Sequence, residues 1–278
     1  MYKTIQAMIK NPLLIILPAA AVLLLAASYL LLQPDMNKLM DFYAEMTDFE
    51  SFVDNIELED TIMMLTITLK IGLLSLVYCV LMVAFFAGYG NLQAAVVNGG
   101  KASFRIFFYG IKKFTGKVFL SFLLLIGVIY GISFAVSLVT TPIITANLIS
   151  EGPFQADFFG MQKTLQIVML IIMTLVYPLL ILWLPAIFID RQERVVACFK
   201  NGLRAGAKKY FQVLPVIVIM MLPTLLLYLF SDNIFTILRS PYMYLNFPYQ
   251  MILIPFLLTF TFLQYDSYKK NKTNAQSA

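Results

Sequence analysis

Histidine is absent from this chain of 278 residues, and charged residues make up only 13% of it. The missing histidine removes the commonest general base and the commonest metal ligand. The chain also lacks a phosphate-binding loop, a Cys-x-x-Cys pair and a Gly-x-Ser-x-Gly nucleophile elbow. We therefore predict that the protein is not an enzyme, and we expect no catalytic residue, no metal site and no cofactor.

Cysteine is scarce as well, since Cys79 and Cys198 are the only two. One falls in an apolar run and the other in a basic segment, which predicts different depths and disfavours a disulfide. The net charge of +5 could suggest a nucleic-acid partner. The bases are sorted along the chain instead of being gathered into a recognition module, so we expect no nucleic acid to bind.

Apolar residues make up 60% of the chain, and they fall in long runs. A helix needs about 20 such residues to cross a bilayer. The first run is too long for the core of a signal peptide, so we interpret it as a retained anchor. We predict an all-α, polytopic membrane domain over residues 1–268, followed by a polar C-terminal tail at 269–278. Its six transmembrane helices are expected at about 12–32, 61–88, 118–140, 164–189, 211–230 and 248–265.

The stretch between the first two predicted spans, residues 34–60, has a different character. It holds nine acidic residues against one base, Lys38. Its apolar residues recur at spacings of three and four, which predicts an amphipathic helix with an acidic outer face. We interpret this segment as a cap on the outer ends of the spans. A lid that binds cations or cationic peptides is the alternative.

Two basic segments interrupt the apolar pattern, one after the second predicted span and one after the fourth. In each of them bases and apolar residues alternate at helical spacing, which is typical of a helix lying on a membrane surface. We predict two cytoplasmic amphipathic interfacial helices that contact the headgroups of anionic lipids. The residues expected to make these contacts are Lys101, Arg105, Lys112, Lys113, Lys117, Lys200, Arg204, Lys208 and Lys209.

The distribution of charge predicts the orientation of the chain. Sixteen of the twenty Lys and Arg residues fall in the termini and in the two basic segments, whereas Lys38, Lys163 and Arg239 fall on the other side. Cytoplasmic segments carry such an excess of bases. We therefore predict a multi-pass protein of a bacterial plasma membrane with both termini in the cytoplasm.

Lys70 is the one base inside a predicted span. An ionisable residue within a membrane helix is a functional hypothesis by default. The favoured interpretation here is that the helix begins above the membrane and Lys70 extends outward, because no span offers an obvious carboxylate at mid-depth.

The two basic segments also resemble each other at an offset of 92 residues, without a gap. FFYGIKKFTGKVF at 107–119 aligns with FKNGLRAGAKKYF at 199–211. Each segment follows a span running inward and precedes one running outward. Residues 61–140 and 164–230 are therefore a possible parallel repeat, an arrangement found in transporters. Chance similarity between two basic amphipathic segments is the alternative.

A family resemblance rests on the opening KNPLL at 10–14 and on LPAIFID at 184–190, which precedes a short basic helix. With these motifs the chain resembles uncharacterised bacterial integral-membrane proteins similar to the membrane domain of glycerophosphodiester phosphodiesterases. The soluble catalytic barrel of those phosphodiesterases is missing here. The resemblance therefore implies a membrane fold and carries over no catalytic residue.

These observations favour a non-enzymatic integral membrane protein that organises lipid or a partner membrane protein. Its expected partners are membrane lipids, especially anionic ones, and a partner membrane protein or further copies of itself. The alternative is a transporter or permease subunit for a small solute or lipid. A transporter would need a polar cavity at mid-depth, lined by groups such as Lys70, Ser75, Ser133 and Thr174.

Overall fold

A computed structural model describes residues 1–45, 58–151, 158–190, 194–230 and 242–277. These residues contain helices and no strand, so the prediction of an all-helical chain is confirmed for them. The helices are α1 (Tyr2–Lys10), α2 (Leu13–Glu45), α3 (Leu58–Val97), α4 (Phe104–Glu151), α5 (Phe158–Leu180), α6 (Trp183–Ile189), α7 (Val195–Phe230) and α8 (Tyr242–Ser277).

Five stretches of helix are long and apolar enough to cross a membrane. They correspond to the first five predicted spans. The sixth predicted span lies within α8, which is not among the five and carries polar residues such as Gln250, Thr259 and Gln264. The five stretches are Leu13–Lys38, Thr61–Val97, Phe104–Leu138, Ile167–Ile189 and Val195–Pro223.

The sequence predicted two separate interfacial helices. In the structure, neither basic segment forms a helix of its own. The first forms the beginning of α4, which continues without interruption for 48 residues. The second forms the beginning of α7, which runs for 36 residues. No proline separates either basic segment from the apolar residues that follow, and Lys and Arg are good helix formers. Each basic segment is therefore the first part of a long helix.

The fourth predicted span is divided, because α5 ends at Leu180 and α6 begins at Trp183. Pro185 explains the break: it has no N–H group, so it cannot bond to the carbonyl of Ile181 four residues before it. Within α6, Pro185 lies in the first turn, where a missing N–H is tolerated. The chain thus bends at this point and enters the most buried part of the protein.

Two further boundaries differ from the prediction. The acidic segment at 34–60 does not begin a new helix, since α2 continues through Pro34 to Glu45 and α3 begins at Leu58. Residues 46–57, which hold four of its nine acids, lie outside the described residues. At the other end of the chain, the predicted polar tail continues α8 to Ser277.

The buried core is concentrated at one end of the bundle, which we call the packed end. It contains the turn at 98–103, where Gly99 takes a φ of 83°, and the end of α6. Helix α3 packs along α4, α5 packs along α7, and α8 contacts α2, α6 and α7. At the opposite end, which we call the open end, burial is sparse. Over residues 61–82, whose side chains are all described, α3 buries Ile67 alone.

Candidate functional site

A buried carboxylate, Asp190, terminates α6 at the packed end. Its side chain is 7% exposed, and its Oδ1 accepts a hydrogen bond of 2.6 Å from Lys269 Nζ. Its Oδ2 accepts hydrogen bonds from Asn201 Nδ2, at 3.2 Å, and from the hydroxyl of Tyr265. A negative charge at the C-terminus of a helix is unfavourable, so these donors are needed to stabilise it there.

This Asp190 cluster joins α6 to α7 and α8. In the sequence, Asp190 ends the LPAIFID motif and Lys269 begins a separate polar tail, so the contact between them was not predicted. The two residues are 79 positions apart, and no local pattern connects them. The sequence feature that could have indicated this contact is an acid immediately after an apolar run. A buried acid needs a partner, because an unpaired charge is costly to bury.

A second polar cluster lies deeper in the packed end, between α2, α3 and α8. The buried side-chain amide of Gln93 donates to the hydroxyl of Tyr89 at 2.7 Å and to Oγ1 of Thr259 at 2.9 Å. The Tyr89 hydroxyl in turn donates to the carbonyl of Leu14 at 2.7 Å. Within the described part of the chain, Oε1 of Gln93 is buried without a hydrogen-bond partner. The sequence feature that could have indicated this Gln93 cluster is the spacing of Tyr89 and Gln93. They are four residues apart and therefore lie on one face of α3.

Lys70 has a partner that the sequence analysis did not identify. It forms an ion pair with Asp35 of α2, and the side chains are 52% and 21% exposed. The contact between Leu14 of α2 and Tyr89 of α3 marks a level from which positions along the same two helices can be measured. At 1.5 Å per residue, both Asp35 and Lys70 lie about 30 Å along their helices from that level. This distance matches the hydrocarbon thickness of a bilayer. The pair is therefore about one bilayer thickness along the helices from the Gln93 cluster.

The bases predicted to contact lipid headgroups all lie on the first turns of α4 and α7 or just before them. Seven of the nine are exposed, and Lys117 and Lys209 are partly buried. The exposed seven are Lys101, Arg105, Lys112, Lys113, Lys200, Arg204 and Lys208.

Two of these lysines reach back toward the packed end. Lys113 donates to the hydroxyl of Tyr109, one turn earlier on α4, at 3.2 Å. Lys208 Nζ lies 5.8 Å from the centre of the Tyr268 ring, near the end of α8. Long basic side chains orient in this way when their stems lie in an apolar layer and their ammonium groups reach toward water.

The residues suggested as the lining of a transport cavity are not gathered around Lys70. Ser75 is exposed on α3, and Ser133 is partly buried on α4. The hydroxyl of Thr174 donates to the carbonyl of Leu170 in its own helix at 2.7 Å. Within the described ranges there is also no group of three Cys, Asp or Glu residues that could hold a metal ion. Cys79 is exposed and Cys198 is buried, and both are free.

Positions related by the offset of 92 residues have similar surroundings at the packed end. Helix α3 ends at Val97 and α6 ends at Ile189, which are 92 residues apart. A Cβ atom on Gly110 would lie 2.6 Å from Cβ of Asn91. A Cβ atom on Gly202 would lie 2.4 Å from Cα of Trp183. Gly110 and Gly202 are related by the offset of 92 residues, and so are Asn91 and Trp183. Each glycine therefore permits an equivalent close approach between helices.

Comparison with known proteins gives no relative from which a function could be transferred. No family model, no curated protein and no solved structure matches the chain.

Proposed function

We propose that the protein is a six-span protein of a bacterial plasma membrane that organises anionic lipid around its packed end. In this proposal the packed end and both termini face the cytoplasm, and α8 is the sixth span. The protein binds lipid and does not catalyse a reaction. The resemblance to the membrane domain of glycerophosphodiester phosphodiesterases is consistent with this placement and remains a prediction.

The observation that carries the proposal is the geometry of the basic residues on α4 and α7. Their side chains lie at the packed end, where Lys113 and Lys208 extend toward the ends of the helices. Lys113 donates a hydrogen bond to Tyr109, and the ammonium group of Lys208 lies over the ring of Tyr268. Tyrosine and lysine are the residue types that anchor helices at the headgroup level. Each base near an anionic surface contributes about 1 kcal/mol of attraction. Several bases on two neighbouring helices therefore favour anionic over zwitterionic lipid.

Two acids in the described part of the packed end do not cancel this charge. Asp190 is engaged by Lys269, and Asp266 accepts a hydrogen bond of 2.6 Å from Lys270 in the same helix. Both acids thus neutralise bases of α8, and the bases of α4 and α7 remain as a positive surface. This arrangement supports the cytoplasmic placement of the packed end, because cytoplasmic segments are rich in Lys and Arg.

A transporter or permease subunit remains the second candidate, and the similarity of the two halves favours it. Its weakness is Lys70, the only base predicted inside a span. We infer from its ion pair with Asp35 that Lys70 lies near the boundary of the bilayer on the open side. A coupling or substrate-binding charge would be expected near mid-depth.

Native mass spectrometry of the purified protein tests the proposal, after incubation with equal amounts of phosphatidylglycerol and phosphatidylcholine. We expect retained phosphatidylglycerol with the native chain. We expect a loss of that preference when Lys112, Lys113, Arg204 and Lys208 are all changed to Gln.

The matched control removes the same charge outside the proposed lipid contacts of α1, α4 and α7, by changing Lys38, Arg194, Lys270 and Lys272 to Gln. The proposal requires this control to keep its preference for phosphatidylglycerol. Equal loss in both variants would show a nonspecific effect of net charge and would overturn the proposal. Retention of a protein in place of lipid would identify a partner membrane protein. Solute flux in vesicles that depends on Lys70 would favour the transporter.

A further inference from the structure

The first helix, α1, has a large apolar face that no other part of the described chain covers. Thr4 and Met8 are buried, and α1 contacts α8. On its other side, Tyr2 is 77% exposed, Ile5 is 49% exposed and Ile9 is 73% exposed. The helix therefore has one face that packs on the protein and a second apolar face directed away from it.

The charged residues of α1 occupy a third direction. Successive residues of a helix are about 100° apart, so Tyr2, Ile5 and Ile9 fall within an arc of roughly 60°. Lys3 and Lys10 lie roughly 110–130° from the centre of that arc. A helix in the plane of a membrane has this division, with its apolar arc toward the acyl chains and its lysines toward the headgroups and water.

The position of α1 is fixed at the packed end. Asn11, with φ −133° and ψ 77°, separates α1 from α2. Its side-chain Oδ1 accepts a hydrogen bond of 3.0 Å from the backbone of Ala102, and its Nδ2 donates to the carbonyl of Ala7 at 3.1 Å. The end of α1 is thus attached to the turn between α3 and α4, beside Lys101. The apolar helix α2 begins two residues after Asn11, so α1 lies where α2 would enter the bilayer.

We propose that α1 lies in the plane of the membrane at the packed end and inserts Tyr2, Ile5 and Ile9 between the lipids of that leaflet. Lipid is the occupant that fits, because the apolar face is continuous with the start of a membrane-spanning helix and is bordered by lysines that suit anionic headgroups. This inference extends the proposed function, since it adds a second lipid contact and rests on the packed end lying at a membrane surface.

Fluorescent labels on α1 test this placement. We would introduce Ile9→Cys or Lys3→Cys in a background with Cys79→Ser and Cys198→Ala, attach the environment-sensitive fluorophore NBD, and reconstitute the full chain. The vesicles would contain equal amounts of phosphatidylglycerol and phosphatidylcholine, with or without bromine on the acyl chains near the headgroup. Ile5→Cys provides a second reporter on the apolar arc.

The expected result is stronger quenching by brominated lipid at position 9 than at position 3, by about twofold or more, as suits a helix buried 5–10 Å into the headgroup boundary. Iodide in the water should quench position 3 more strongly. Equal quenching by iodide at both positions would place α1 in water and overturn the inference. Protection of position 9 from both quenchers would also overturn it, since protein would then cover the face. The lipid preference measured by mass spectrometry depends on other residues, so either proposal can fail without the other.

Discussion

Gly90 of α3 lies directly against the ring of Phe188 of α6. A Cβ atom at position 90 would stand 2.1 Å from Cε2 of that ring, which is far closer than two carbon atoms can approach. The ring has little room to move, because it is fully buried and its centre lies 5.1 Å from that of Phe114 and 6.0 Å from that of Phe262. This contact joins α3 to α6 at the packed end.

Replacement of Gly90 by Ala is therefore expected to destabilise the protein. Forcing an extra carbon into a packed core costs about 1–3 kcal/mol. Thermal unfolding in detergent micelles would measure the change. Gly116→Ala is the matched control, since no heavy atom lies within 4 Å of the Cβ position there. Alanine is the better helix former by about 1 kcal/mol, so the control should be neutral or slightly more stable. Equal losses in both variants would contradict the packing argument.

The Asp190 cluster predicts a second loss of stability. Asp190→Ala removes a charged acceptor from the Tyr265 hydroxyl and from the Asn201 amide, and a hydrogen bond to a charged group contributes about 1.5–3 kcal/mol. The Lys269 charge adds little to this cost because its side chain is 46% exposed and can be hydrated. The midpoint of unfolding in denaturant, read from tryptophan fluorescence, measures the effect.

Asp266→Ala is the control for that variant. It removes an acid from the same packed end, but its ion pair with Lys270 is a local pair of residues four apart in α8. Such pairs contribute about 0.3–0.5 kcal/mol. If both aspartates proved equally dispensable, Asp190 would not be the joint between α6, α7 and α8.

The Gln93 cluster predicts opposite effects for two neighbouring changes. Tyr89→Phe removes the hydrogen bond to the carbonyl of Leu14 and should destabilise the protein by about 0.5–1.5 kcal/mol. Gln93→Leu also removes an unpaired, buried oxygen, so it should be neutral or stabilising. Thermal unfolding of the two variants side by side provides the comparison. A large loss for Gln93→Leu would mean that Oε1 has a partner, such as a bound water.

The positions of Lys70 and Lys101 predict that they are reached from opposite sides of the membrane. In a background lacking Cys79 and Cys198, Lys70→Cys and Lys101→Cys would be treated with a membrane-impermeant maleimide. The reagent should label position 70 from outside intact cells and position 101 only in inverted vesicles. Labelling of both from one side would contradict this placement, in which Lys70 lies about 40 Å along α3 from the end of that helix at Val97.

The apolar pattern was sufficient to predict an all-helical chain with long membrane-type helices. It could not predict where those helices end. Basic residues extend α4 and α7 beyond the apolar runs, because Lys and Arg are favourable in helices whether or not a membrane surrounds them. The division of the fourth predicted span depends on Pro185, whereas Pro178 and Pro215 lie within continuous helices.

The polar contacts between helices could not be predicted from the sequence, for a different reason. Asp190 meets Lys269, and Tyr89 meets Leu14, across 79 and 75 positions. Periodicity describes one helix at a time, and a single sequence does not reveal which helices are neighbours. The match at an offset of 92 residues was the one long-range signal, and it concerns the glycines that permit close helix contact.

The confinement of the core to the packed end has a mechanical consequence. Close glycine contacts and two polar clusters hold the helices together there, while α3 near Ile62 and Leu69 has almost no buried neighbours. The helices of such a bundle are held together tightly at one end and are less constrained at the other. When the bilayer becomes thinner or thicker, hydrophobic mismatch is relieved by tilting. We expect the described parts of the helices at the open end, where Lys70 pairs with Asp35, to change their tilt more easily than the packed end. The molecule can then adapt to bilayer thickness while its core stays packed.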